Sequence, residues 1–96
     1  MMMKYTPIFL ETFECELEEI LEYLMKISSN KSVIRLLDSI SNAIDNILYF
    51  PYLGVIYNSK ISKYEVRKLN ADNYVLLYVV NEKQNRIYFF RIINSR

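Results

Sequence analysis

The sequence predicts an α+β domain: an N-terminal strand, an antiparallel two-helix hairpin, then a three-stranded antiparallel meander with the helices packed on one face. Three observations predict it. Residues 64–93 form runs rich in Val, Ile, Tyr and Phe, broken by polar segments at 70–73 and 81–85, as consecutive strands do. Before them lie two stretches in which apolar residues recur every three or four positions, the period of an amphipathic helix. Between the two regions, Phe50-Pro51-Tyr52-Leu53-Gly54 is a turning segment, because the residue before a proline is pushed out of helical geometry.

Taken in order, Met2–Tyr5 reads as a short strand. Thr6 can cap the helix that follows, and Pro7 suits a first turn where its missing N–H loses nothing. Leu10, Phe13, Leu17, Ile20, Leu21 and Leu24 mark that helix to about Ile27, and its early glutamates suit the positive end of the helix dipole. Ser28–Lys31 breaks the pattern. Ser32 is a candidate cap for a second helix carrying Val33, Leu37, Ile40, Ile44 and Ile47. Phe50 and Leu53 are expected to plug the corner between helix and sheet, and residues 55–63 to form a loop into the meander.

Turn lengths set an expected register. With Asn70 facing Asn73 and Asn81 facing Arg86, Arg67 lies opposite Leu76 and Leu76 opposite Arg91. Side chains alternate along a strand, so Arg67, Leu76 and Arg91 form one row with Tyr74 and Tyr78 beside it. Val66, Val75, Leu77, Val79, Tyr88, Phe90 and Ile92 are expected on the other face, against the helices. The arginine row is then left open. A one-residue slip in either turn exchanges the faces.

At 96 residues, with 52% hydrophobic and 24% charged, the chain suffices for one domain, residues 1–96, around a modest core. A single cysteine, Cys15, cannot form an internal disulfide, and no apolar run reaches the roughly 18 to 20 residues of a membrane span. A soluble cytoplasmic protein with no membrane partner is expected. Histidine is absent, so Arg, Lys, Tyr, Asp and Glu must carry any acid–base chemistry. Glu11, Glu14, Glu18 and Glu22 share one stripe of the first helix and read as a solvated face; neither metal nor cofactor is expected. Cys15 among them has no basic neighbour and reads as inert. Residues 1–59 hold four Lys or Arg against eight Asp or Glu, whereas residues 60–96 hold eight against three. An acidic helical half and a basic sheet half point to an anionic partner on the sheet, or to two solvated faces of a neutral domain.

The pieces in their order resemble the RelE/ParE superfamily of toxins from bacterial type II toxin–antitoxin modules. Tyr5-Thr6-Pro7 is similar to that family's opening, Ile20 to Tyr23 to its first-helix Ile-x-x-Tyr, and Phe50-Pro51-x-x-Gly54 to its Phe-Pro-x-x-Gly. Tyr64-x-x-Arg67-Lys68-Leu69, Asn73-Tyr74-Val75-Leu76-Leu77-Tyr78-x-Val80 and Arg91-Ile92-Ile93 are similar to its three consecutive strands. The resemblance implies a toxin that arrests growth and is neutralised by a cognate antitoxin. It implies one of two targets: the ribosome with its mRNA, cleaved by an endoribonuclease, which the Arg67 and Arg91 row and the basic sheet half favour, or, as the alternative, DNA gyrase, inhibited without any nuclease site. Where many members carry His or Tyr near the end, this chain reads Ile93-Asn94-Ser95-Arg96. A degenerate toxin that retains only antitoxin binding is a third reading.

Under the nuclease reading, Arg67 and Arg91 are the candidate catalytic residues, because two cations on one face would stabilise the charge of a pentavalent phosphate. Lys63, Lys68 and Arg96 would contact backbone or target, and Tyr74 and Tyr78 would stack on bases. The competing reading makes Arg67 and Arg91 partners of nearby groups and the tyrosines packing residues at the sheet edge. Glu65 or a lysine would have to serve as general base.

Overall fold

The computed structural model describes residues 4–57 and 63–95. Two helices, α1 (Glu11–Ile27) and α2 (Asn30–Tyr49), follow a first strand, β1 (Thr6–Phe9), and precede β2 (Val55–Ile56), β3 (Val66–Ala71), β4 (Tyr74–Asn81) and β5 (Arg86–Asn94). The strands form one five-stranded sheet in the order β1-β5-β4-β3-β2. Only β1 with β5 is parallel; the others pair antiparallel. The expected meander is therefore the centre of a mixed sheet with an extra strand on each side.

Local chemistry explains the helix limits. The α1 helix begins without a side-chain cap, at Leu10, and its first turn carries Glu11 and Glu14, which the dipole favours there. Ser29 caps α2, accepting the Ser32 N–H, so the cap lies three residues before the expected one; Phe50 closes the other end, its N–H reaching Asn46 O before Pro51. The opening segment departs from expectation. Thr6 and Pro7 lie within β1, where Pro7 pairs with Ile87, so they are strand residues and not a helix start. Pro is tolerated because β1 is an edge strand. Of the expected strand Met2–Tyr5, residues 2 and 3 lie outside the described residues. Val55–Ile56, expected in a loop, pairs with Lys68 and Arg67.

Both helices cover one face of the sheet. Phe13 from α1 and Leu36, Ile40, Ile47 and Leu48 from α2 pack on Leu76, Tyr78, Ile87, Phe89 and Ile92. Leu37, expected in the stripe, is instead 40% exposed, and Leu36 takes the inward position. Phe9 stacks on Phe89 with centroids 5.3 Å apart and joins Phe13 at 5.5 Å. Full burial of Phe13 and Phe89 stabilises the fold by about 1.5–3 kcal/mol each.

The expected register is corrected in both hairpins. The first turn is Asp72-Asn73, with Ala71 opposite Tyr74, so Arg67 faces Tyr78 and not Leu76. Asp72 and Asn85 adopt positive φ, 58° and 54°, a conformation that Asp and Asn tolerate better than most residues. Asn81 does face Arg86, but a bulge intervenes: Tyr78 faces Phe89 while Leu77 faces Arg91, leaving Phe90 extra. The faces are also exchanged. The helices cover Tyr74, Leu76 and Tyr78, and the opposite face carries a separate cluster of Val66, Val75 and Leu77 with Val79, Phe90 and Ile93 against it. Ile92, beyond the bulge, packs on the helix side.

Candidate functional site

Sequence reasoning placed two arginines in one row, and the structure separates them. Arg67 shares a face with its cross-strand neighbour Tyr78, and Arg91 with Leu77. Tyr78 and Leu77 are consecutive in β4 and point to opposite faces. Arg67 therefore looks toward the helices and Arg91 toward the open face.

Arg67 is built into the turn that leads from α2 to the sheet. Its Nη1 donates to Gly54 O at 2.8 Å and reaches Tyr52 O at 3.5 Å, while Nη2 donates to Glu65 Oε1 at 2.6 Å. The guanidinium lies 4.8 Å from the Tyr52 ring centroid, a cation–π contact, and its side chain is only 16% exposed. The buried Nε has no hydrogen-bond partner among the described residues. Tyr52 in turn donates its hydroxyl to Glu82 on the β4–β5 loop. That hydrogen bond, then burial, pushes the Tyr52 phenol up to about 12. Tyr78 completes the turn: its hydroxyl donates to Pro51 O at 2.8 Å and accepts the Gly54 N–H at 3.0 Å. Burial raises its phenol despite that N–H and the Arg67 charge. Phe50 and Leu53, expected to plug this corner, are 55% and 49% exposed; the plug is Tyr78.

Arg91 is held from the other side. Its Nη2 lies 2.7 Å from Glu16 Oε2, and its Nε reaches both oxygens at 3.2 Å. Glu16 Oε1 also accepts the Ile92 N–H at 3.2 Å. β1 ends at Phe9, so β5 has a free edge past Phe89, and the Glu16 carboxylate satisfies a backbone donor that no strand reaches. The same hydrogen bonds raise the Arg91 guanidinium further above its already high range.

The open face holds a groove of about 1010 Å³. Val66, Leu77, Val79 and Phe90 line it with Tyr57, Tyr64 and Tyr88, and Lys83 and Arg91 add charge. Lys68 shares this face, since it sits opposite Leu77. A cationic row thus exists one residue away from the expected one, as Lys68, Leu77 and Arg91. Tyr74 and Tyr78 belong to the helix-side core and are not brought to the groove. Lys63 is exposed and outside any strand, and Arg96 lies outside the described residues. The tyrosines of the groove were missed as site residues. Tyr88 could have been found from Ile87 and Phe89, which flank it and are the more apolar pair. Glu11, Glu14, Glu18 and Glu22 stay exposed on α1, and no acid or thiol cluster with metal-holding geometry occurs among the described residues. No helix among them is long and apolar enough to cross a membrane.

The family model described as ParE toxin of type II toxin-antitoxin system, parDE, matches residues 8–96. The chain belongs to the ParE toxin family. Solved structures repeat the fold of this ParE-family toxin. The chromosomal ParDE system of P. aeruginosa aligns with a TM-score of 0.75 at 13% identity, over 97% of this chain and 98% of that one. The RelBE2 toxin–antitoxin complex of Mycobacterium tuberculosis gives 0.68 at 14% identity, over 96% and 99%. A free mutant of the E. coli toxin RelE gives 0.57 at 17%, over 98% and 86%. No curated protein matches the sequence. At such identities the likeness is one of fold, shared by ParE-named and RelE-named proteins alike.

Proposed function

We propose that this toxin arrests growth by binding DNA gyrase and not by cleaving RNA, and that a cognate antitoxin neutralises it. One observation carries the choice of target: Arg67 and Arg91 lie on opposite faces of the sheet, and each is bound to a carboxylate, at 2.6 and 2.7 Å. Stabilising a pentavalent phosphate requires donors converging on the same oxygens. Lys68 and Arg91 do share the open face, but their strands flank β4 with Leu77 between them, about 10 Å apart at two strand spacings. Arg91 also carries the Glu16 carboxylate. A phosphate held by both would have to displace that carboxylate. The groove between them is floored by Val66, Leu77, Val79 and Phe90, a surface suited to protein side chains, which is what a gyrase-binding or antitoxin-binding toxin needs. The antitoxin reading also draws support from the ParDE system and the RelBE2 complex, which are named as toxin–antitoxin assemblies.

The test has two arms. Purified toxin added to gyrase and relaxed plasmid is expected to block supercoiling, and mRNA 5′ ends mapped after brief induction are expected to show no new cuts within reading frames. New in-frame cuts with supercoiling intact would overturn the proposal in favour of ribosome-dependent cleavage.

A further inference from the structure

We propose that the outer edge of β2 is a self-association surface: two copies of this chain pair β2 to β2, antiparallel about a twofold axis at Ile56, into one continuous sheet. The backbone supplies the first argument. Among the described residues, β2 is the last strand of the sheet. The Tyr57 N–H points inward, to Val66 O at 2.7 Å. Hydrogen-bonding direction alternates along an antiparallel ladder, so the Ile56 N–H and C=O point outward.

The side chains supply the second. Val55, Ile56 and Tyr57 are 60%, 61% and 38% exposed. Scattered exposed apolar residues are ordinary, but a contiguous run on an open strand edge is a template for pairing. Edges that stay single are guarded by charge, proline, bulges or brevity, and of these β2 has only its two-residue length. Here residues 52–59 contain no Pro, Asp, Glu, Lys or Arg, and the uncharged stretch runs from Asn46 to Ser59.

Charge selects the occupant. A charged partner would find no opposite charge along this edge, whereas an uncharged, apolar, extended segment fits it, and the same edge of a second copy is such a segment. The chain's net charge of +1 gives two copies little mutual repulsion. A twofold pairing is closed, so it stops at a dimer. With both outward groups of Ile56 engaged, Ile56 and its symmetry mate form a hydrogen-bonded pair with Cα atoms about 5.5 Å apart. Tyr57 borders the open-face groove, so the grooves of the two copies would meet at the axis.

The test uses the full chain. Sedimentation across a concentration series is expected to show a monomer–dimer equilibrium, shifted to monomer by Ile56→Lys with the helical circular dichroism unchanged. In a Cys15→Ser background, Ile56→Cys is expected to oxidise to a covalent dimer roughly tenfold or more faster than Tyr23→Cys, an equally exposed helix position, because pairing raises the effective thiol concentration. The Cys pair reads the axis directly, so the proposal stays testable even where Ile56→Lys misfolds. A wild-type monomer at every concentration, or a dimer that survives Ile56→Lys with no preference for the Ile56→Cys cross-link, overturns it. So does an edge that pairs only with a different protein.

Discussion

Tyr78 and Gly54 occupy one another's space: the Tyr78 hydroxyl that accepts the Gly54 N–H sits 2.6 Å from where a Gly54 side chain would begin, with Lys68 O at 2.5 Å on the same spot. The absence of a side chain at residue 54 lets the turn after α2 close onto the sheet. Gly54→Ala is expected to destabilise the fold by about 1–3 kcal/mol, as overpacking does. Urea unfolding monitored by circular dichroism measures it, and a variant as stable as wild type would mean that the turn is free to move off β3.

The Tyr78 hydroxyl can be removed alone. Tyr78→Phe keeps the buried ring and leaves Pro51 O and the Gly54 N–H without their partner, which costs about 1–3 kcal/mol. Because the ring packs at 5.9 Å on Phe89, Tyr78→Ala should cost more, about 3–5 kcal/mol. A Tyr78→Phe protein that melts with wild type would show that the hydroxyl contributes nothing.

Arg67 joins the same turn, so its loss should be felt as stability and not as chemistry. Arg67→Lys removes the forked donation to Gly54 O and Glu65 and is expected to cost about 1–3 kcal/mol. Inhibition of gyrase per folded molecule should be unchanged. A supercoiling assay normalised to the folded fraction separates the two, and a folded Arg67→Lys protein without activity would place Arg67 in the working surface.

Much of this was legible in the sequence. Period-3.6 stripes located α1 and α2 to within a few residues, because the same apolar side chains that set the period fill the core. The meander was legible from its β-branched and aromatic runs. The choice of face was not, since β4 is apolar on both sides: Leu76 and Tyr78 meet the helices while Val75, Leu77 and Val79 line the open cluster. Ile87 and Phe89, two apolar residues in phase with Leu76, carried the missing information. Reading Arg91 apart from Arg67 requires counting Phe90 as an extra residue, which periodicity alone does not announce.

Stability should depend on alkaline pH through Tyr52. Its folded phenol is pushed up to about 12 by Glu82, above the usual value of about 10. The neutral phenol is the form the fold favours, so the Tyr52 contribution is complete below about pH 10 and lost as pH rises toward about 12. Burial raises Tyr78 in the same direction. Tyr52→Phe should therefore reduce, without abolishing, the fall in melting temperature over this window. Absorbance titration of phenolate in the two proteins tests it, and superimposable curves with wild type would remove the Glu82 hydrogen bond from solution.

The Glu16 carboxylate should protect one amide more than it stabilises the whole. Arg91 and Glu16 side chains are 47% and 21% exposed, and such solvent-screened pairs contribute at most about 1 kcal/mol. Glu16→Ala is expected to lower global stability by no more than that while accelerating hydrogen exchange at the Ile92 amide. Exchange unchanged at Ile92 would mean that the free edge of β5 is shielded by something else.

The extra residue at Phe90 divides β5 into two segments with independent addressing. Before it, odd-numbered Ile87 and Phe89 face the helices; after it, even-numbered Ile92 does. Parity, and not distance, decides which side of the sheet a residue after the bulge serves. Deleting Phe90 would remove the bulge and restore regular alternation, leaving Arg91 opposite Leu77 on the open face and Ile92 opposite Leu76 against the helices. A single-codon insertion there, with no second bulge to absorb it, would shift every residue from Arg91 to Asn94 by one position and exchange their faces, whereas loss of Phe90 leaves the addresses intact.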